Sequence, residues 1–270
     1  RLDGATLAIQ GRIATGERPI MPAAAEKGSV VILPGRNGLL TLAYDGEEIR
    51  SANLPIGGQP SASTTSHDGR RAYVPDTLRN ILVTVDLDQG KVLAETTVGD
   101  GPSHPMVTPD DRIVCVANSR SHDISLVDAH TFQVLATIPS GEAAHQTTLT
   151  PDGQVLLVAN FFEDSVSVVD LPSRGRVAGV PVGPYPHGLD MAPGDRYAVA
   201  THFGDPWVSI IDVPARKVAT RVPAGLGSSH TTFSPEGDRA YVANSLANTI
   251  TVIDLKSLEA TAEIPCSISL

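Results

Sequence analysis

Short apolar runs alternate with polar turns along almost the whole chain. Residues 183–224 show the pattern well, because four runs of strand length are separated there by clusters of Gly, Pro and Asp. Runs of four to eight residues that are rich in Val, Ile and Thr and bounded by such turn residues are typical of β-strands. This stretch therefore predicts a unit of four short strands.

The unit recurs at a fixed spacing of 42 residues. The residue that opens the first tight turn of each unit lies at His67, Pro109, Pro151, Pro193 and Pro235. The Asp that closes the third strand keeps the same spacing, at Asp3, Asp45, Asp86, Asp128, Asp170, Asp212 and Asp254, with one residue less between the second and third of these. A four-stranded repeat of about 40–45 residues is typical of a propeller blade. We therefore predict an all-β fold, a β-propeller.

The repeat also predicts the blade boundaries within a single domain that covers residues 1–270. Complete blades are expected at about residues 19–57, 58–100, 101–140, 141–182, 183–224 and 225–265. Residues 1–18 match the end of a third strand followed by a fourth strand. Because propellers close their ring by completing one blade from both termini, we expect seven blades, one of them incomplete in this sequence. A six-bladed ring is the alternative. The protein would be a monomer, or a dimer that forms through the incomplete blade.

Composition excludes several classes of partner. The net charge is −10, and lysine and arginine are not clustered, so no nucleic acid is expected. No apolar run approaches 18 residues, so no membrane span is predicted. Cys115 lies in an apolar run and is expected to be a buried, inert thiol.

One repeat carries a family resemblance. Residues 241–244 read Tyr-Val-Ala-Asn, follow Ser-Pro-Glu-Gly at 234–237, and precede the apolar strand at 249–254. This resembles the YVTN-type propeller repeat, over about residues 19–265. The family is similar to surface-layer repeat proteins and to the propeller that carries haem d1 in nitrite reductases. The resemblance implies the fold and favours a periplasmic or secreted location. Propellers support many functions, so function has to be argued from the site.

Histidines concentrate on one predicted face. Four consecutive repeats carry one at the start of the strand that lines the central channel: His104, His145, His187 and His230. His202 replaces the Asn of a Val-Ala-Asn turn, and His122 lies in the corresponding loop two blades earlier. Six of the eight histidines thus map to the same face.

Imidazoles that converge on an axis are suited to bind a transition metal. We therefore predict His104, His145, His187 and His230 as ligands of Cu, Zn or Fe, or of a metallocofactor. Their phase differs, since His145 and His187 lie six residues before the turn proline and the other two lie five before it. A shift of one residue reverses a side chain in a strand. All four meet only if bulges correct the phase; otherwise the repeat simply tolerates His there.

Aromatic and polar residues surround the same predicted mouth. The candidates for ligand binding are Phe161, Phe203, Trp207, Asn118, Asn160 and Arg120. Exposed aromatic side chains beside polar groups are typical of ligand pockets. The alternative is structural: aromatic residues pack loops onto neighbouring blades, and the Asn residues close turns.

Three functions remain open from the sequence. The first is a metal- or metallocofactor-binding propeller, with or without enzyme activity, that takes a small-molecule ligand at the channel mouth. The second is a metal-free lyase or lactone hydrolase that uses a histidine, His187 or His202, as general base. The third is a non-catalytic platform for a protein or glycan. Motifs for phosphate cradling, haem c attachment and a serine nucleophile elbow are not found in the sequence.

Overall fold

The computed structural model describes residues 19–24, 30–35, 38–45, 48–194 and 196–266. All regular elements in these residues are β-strands, and they form six four-stranded sheets. The predicted all-β propeller is thereby confirmed. The predicted fourth strand within residues 1–18 lies outside the described residues. The part of the chain that is described contains no helix able to cross a membrane.

Each sheet is formed by four consecutive strands, numbered here in chain order. The first two sheets contain β1 (Ala23–Ala24), β2 (Val30–Gly35), β3 (Gly38–Asp45), β4 (Glu48–Leu54), and β5 (Thr64–Thr65), β6 (Arg71–Asp76), β7 (Ile81–Asp86), β8 (Lys91–Thr97). The next two contain β9 (Pro102–Val107), β10 (Ile113–Asn118), β11 (Asp123–Asp128), β12 (Val134–Pro139), and β13 (Ala144–Leu149), β14 (Val155–Asn160), β15 (Ser165–Asp170), β16 (Gly175–Pro181). The last two contain β17 (Pro186–Met191), β18 (Tyr197–His202), β19 (Trp207–Asp212), β20 (Lys217–Pro223), and β21 (Ser228–Phe233), β22 (Arg239–Asn244), β23 (Thr249–Asp254), β24 (Glu259–Pro265).

The hydrophobic core lies between neighbouring sheets. Leu126 of one blade and Leu156 of the next are fully buried in a shared cluster, and the same arrangement recurs between later blades. Cys115 belongs to this core, and its burial raises the pKa of the thiol to about 12, as expected for an inert cysteine. The first strands lie innermost, so that β17 packs between β13 and β21 and lines the channel.

A glycine and a polar side chain lock each turn near the channel mouth. Gly99, Gly141, Gly183 and Gly225 are spaced by 42 residues. A Cβ at these positions would lie 2.5–2.9 Å from side-chain atoms of, among others, Asn118, Asn160, His202 and Asn244, respectively. The three Asn amides donate to a Ser or Thr seven residues further on, at 2.9–3.0 Å. The turn Asn residues are thus buried parts of the scaffold.

The outer face of the last described blade is uncovered. Val222 of β20 is 1% exposed, whereas Ile264, at the equivalent place in β24, is 46% exposed. Ala243 is exposed as well, although its equivalents Ala117 and Ala159 are fully buried. Each buried equivalent is covered by the following blade. Among the described residues, none covers the face that carries Ile264.

Candidate functional site

Four histidine rings form a row along the innermost strands of four blades. The ring centroids are 4.5 Å apart for His104 and His145, 5.0 Å for His145 and His187, and 5.5 Å for His187 and His230. All four side chains are partly exposed. We call this set the histidine row.

Bulges bring the four rings together despite their difference in phase. In each of the four blades the pairing register between first and second strands shifts once, for example between Pro186 and Leu189 and between Ser228 and His230. His104 takes a left-handed backbone conformation with φ of 41°. A bulge adds a residue to one strand and re-aims the side chains beside it. The four histidine rings therefore lie side by side, although His104 and His230 differ by one residue in phase from His145 and His187.

Burial keeps much of the histidine row uncharged. Desolvation, followed by the neighbouring imidazoles, lowers the pKa of His104 to about 3. The same two causes lower the pKa of His145 to about 4, and they also lower the pKa of His230. These three rings are neutral at pH 7, so each can both donate and accept a hydrogen bond.

The tautomer of His187 is defined by a backbone carbonyl. Its Nδ1 lies 3.3 Å from the carbonyl oxygen of Ser229 on β21. Because a carbonyl can only accept, Nδ1 carries the proton, and Nε2 keeps its lone pair. Gly188 permits the close approach of the two strands, since a Cβ there would lie 2.1 Å from the same oxygen. In the neutral ring of His187, Nε2 is therefore the nitrogen that can accept a proton.

Aromatic rings line the row on one side. The Phe161 ring lies 6.2 Å from His145, 6.3 Å from His187 and 5.4 Å from Tyr185. Phe203 lies 6.2 Å from His187. Tyr185 and Phe203 are each 46% exposed, so they present apolar surface to solvent beside polar imidazoles. Such a combination is suited to bind a small organic ligand.

The other predicted ligand-binding residues lie away from the row or are already engaged. Asn118 and Asn160 are fully buried in their turns. Arg120 donates to Asp100 and to the carbonyl of Thr77, both at 2.7 Å, and so ties neighbouring loops together. Trp207 begins β19 and is 41% exposed.

His202 occupies a scaffold position. It has no exposed surface, and its Nε2 lies 2.9 Å from the hydroxyl of Ser209, seven residues on. Desolvation lowers its pKa to about 4. Three other blades carry a buried Asn at this position, and that Asn donates to the Ser or Thr seven residues further on. The ring of His202 takes the place of this Asn. Contact with a substrate would require the turn to open.

The described residues do not form a preassembled metal site. Among them, no group of three or more His, Cys, Asp and Glu side chains is placed to hold a metal ion. Zinc, for example, needs ligand nitrogens about 2.0–2.1 Å from one point, whereas the row spreads its rings along the channel. The Nδ1 atoms of His104 and His145 are nevertheless buried without a hydrogen-bond partner. These two unpartnered nitrogens are the candidate metal ligands of the row, and two are fewer than the four ligands that the sequence predicted.

Two residues near the histidine row, Asp190 and Tyr185, were not among the residues predicted from the sequence. Asp190 on β17 accepts from the backbone N–H of Thr231 at 3.3 Å and from Nε2 of Gln146 at 3.4 Å. Burial raises the pKa of its carboxyl group to about 6. Asp190 is the single acidic residue in the described innermost strands β5, β9, β13, β17 and β21. An acidic residue in a strand that lines the channel could have been recognised from the sequence. Tyr185 could likewise have been recognised from the sequence, because it lies two residues before His187.

Fold and sequence comparison now agree on the class of protein, a β-propeller. The family model described as "Lactonase, 7-bladed beta-propeller" matches residues 127–267, more than half of the chain. The chain belongs to this lactonase family of seven-bladed propellers. The more specific YVTN-type assignment stays a prediction.

Among solved structures, 1544 chains match this one. One is described as "Dihydro-heme d1 dehydrogenase NirN in complex with DHE", with a TM-score of 0.81 and 18% identity. The match covers 99% of this chain and 61% of that one, so this chain spans about three fifths of its length. At this identity the likeness shows the fold alone. Among curated proteins, no sequence matches.

Proposed function

We propose that the protein binds a lactone at the channel mouth and hydrolyses it, with His187 as general base. The observation that carries the proposal is the contact between His187 Nδ1 and the Ser229 carbonyl, which leaves Nε2 free to accept a proton. Membership of the lactonase family supports ester hydrolysis as the reaction.

The reaction needs only groups on this chain and water. Nε2 of His187 takes a proton from a water molecule as the water oxygen bonds to the lactone carbonyl carbon. The ring C–O bond then breaks, and the imidazolium returns the proton to the departing alkoxide. The product is an open-chain hydroxy acid, and His187 is neutral again.

Neighbouring side chains supply binding and charge stabilisation in this proposal. The rings of Phe161 and Phe203 hold the apolar part of the lactone against His187. His145 and His230 flank His187 on either side, and as neutral imidazoles each carries one N–H. An N–H aimed at the developing oxyanion would lower the barrier.

The first test is hydrolysis by the untagged wild-type protein in a pH-stat, with and without EDTA. Dihydrocoumarin, γ-butyrolactone and glucono-δ-lactone serve as substrates. We expect turnover of at least one lactone that EDTA leaves unchanged. Phe161→Ala should raise KM more than kcat falls, and Phe132→Ala, on the opposite face, is the control. Absence of turnover with all three lactones would contradict the proposal.

A metal-binding function is the second candidate, favoured by the buried, partnerless Nδ1 atoms of His104 and His145. A bound transition metal or metallocofactor would act there as a Lewis acid or redox centre. Elemental analysis of untagged protein beside a His104→Ala/His145→Ala variant tests this. Near-stoichiometric Cu, Zn or Fe that disappears in the variant would support it. The same trace metal content in both proteins would count against it.

A further inference from the structure

Blade five departs from the repeat at two adjacent residues. The second strand ends in Ala-Asn at residues 117–118, 159–160 and 243–244, but in Thr201-His202 here. His202 takes over the scaffold bond of the Asn, to Ser209. Thr201 adds a hydroxyl group where the other blades have a methyl group, and its side chain is fully buried.

The hydroxyl of Thr201 connects three strands. It accepts a hydrogen bond from the backbone N–H of Gly188 at 2.9 Å. An N–H can only donate, so the hydroxyl proton remains for a carbonyl. The carbonyl of Ser229 lies at 3.0 Å and that of Gly188 at 3.5 Å, which favours donation to Ser229.

Two donors therefore converge on the Ser229 carbonyl, one from Thr201 and one from His187 Nδ1. A carbonyl oxygen has two lone pairs, so it can accept both. The preceding blade provides an internal comparison. Ala159 stands there in place of Thr201, and the Nδ1 atom of His145, which lies 42 residues before His187, is buried without a hydrogen-bond partner.

We propose that Thr201 is a positioning residue, which fixes the Ser229 carbonyl and through it the orientation and tautomer of His187. This inference rests on the proposed function for its catalytic consequence, whereas the tautomer itself can be measured without any substrate. The hydroxyl acts through backbone, and the substrate would meet only His187.

The test is 15N NMR of the histidine rings at pH 8 in wild type, Thr201→Ala and Thr201→Ser. Alanine is the residue that three other blades carry at this position, so the fold should tolerate it. We expect wild-type His187 to be protonated at Nδ1, Thr201→Ala to show mixed tautomers, and Thr201→Ser to restore the wild-type signal. Thr147→Ala is the matched control, because it removes a buried hydroxyl that donates to the His104 carbonyl at 2.8 Å.

Activity gives the second readout. Thr201→Ala should lower kcat about tenfold with KM unchanged, as loss of an orienting hydrogen bond typically does, and serine should restore it. Unchanged tautomer and unchanged kcat in Thr201→Ala would overturn the inference. If the wild type hydrolyses no lactone, the proposed function fails while the NMR comparison still decides the role of Thr201. If the alanine variant does not fold, Thr201→Val takes its place against Thr201→Ser.

Discussion

The rings of His145 and His187 lie 5.0 Å apart although the two residues belong to different blades. Equal phase in the repeat explains this, because each lies six residues before its turn proline. His104 and His230 lie one residue later in the repeat, and they join the row in blades whose first strands all carry a bulge. The row therefore depends on two features, the spacing of the repeat and the bulges in the first strands.

The free energy of unfolding should fall as the pH is lowered below 6.5, because the protein buries histidines with lowered pKa values. The pKa values of His145 and His202 fall to about 4 in the fold, against 6.5 in an unfolded chain. Below pH 6.5 the unfolded chain takes up protons that the native state refuses until about pH 4. Unfolding free energy should thus fall between pH 6.5 and 4, by roughly 3 kcal/mol for each such group. Urea titrations at pH 7 and 4.5 measure this.

His202→Asn should remove the share of His202 in that loss. Asparagine is the residue of three other blades and can donate to Ser209 in the same way. The variant should gain about 2–3 kcal/mol over wild type at pH 4.5 and little at pH 7. His130→Asn, at an exposed position, is the control. Loss of lactone hydrolysis with an intact fold would instead support the catalytic role that the sequence suggested.

Asp190 should show the opposite dependence on pH. Burial raises the pKa of its carboxyl group to about 6, from 3.8 in an unfolded chain. The native state therefore binds this proton more tightly than the unfolded chain does. Its stabilising contribution is complete below about pH 3.8 and is lost as pH rises through 6. Asp190→Asn should therefore raise the unfolding free energy at pH 7 by about 2–3 kcal/mol and change it little at pH 4.

Asp152→Asn is the control for this experiment. The Thr150 hydroxyl and the Gln154 backbone N–H lower the pKa of Asp152, so the ionised form is favoured there. This variant should gain no stability at pH 7. An equal gain in both variants would mean that net charge, and not burial of Asp190, is responsible.

The uncovered face of the last blade can be tested by paired substitutions. Val222→Asp places a charge in a core position and should cost about 3 kcal/mol or more. Ile264→Asp changes the equivalent position, which is 46% exposed, and should cost less than about 1 kcal/mol. Thermal unfolding of both variants measures the difference. Equal losses would show that something covers the face in solution.

The spacing of the repeat predicted the fold, and it also placed four histidines at the starts of the innermost strands, because both depend on residue spacing alone. The spacing could not predict that the four rings meet, since this depends on register shifts between strands that the spacing of residues does not show. The role of Thr201 depends on contacts between β17, β18 and β21, which no local pattern reveals. The position of His202 was within reach, because Ser209 follows it by seven residues as Ser125 follows Asn118.

The most direct test of His187 as the general base is the rate of lactone hydrolysis by His187→Gln. Glutamine keeps polarity and approximate size but cannot act as a base at neutral pH. We expect kcat/KM to fall by roughly 10²–10⁴, with wild-type thermal stability and with full activity in the control His130→Gln. A His187→Gln variant that hydrolyses lactones at the wild-type rate would show that His187 is not the general base.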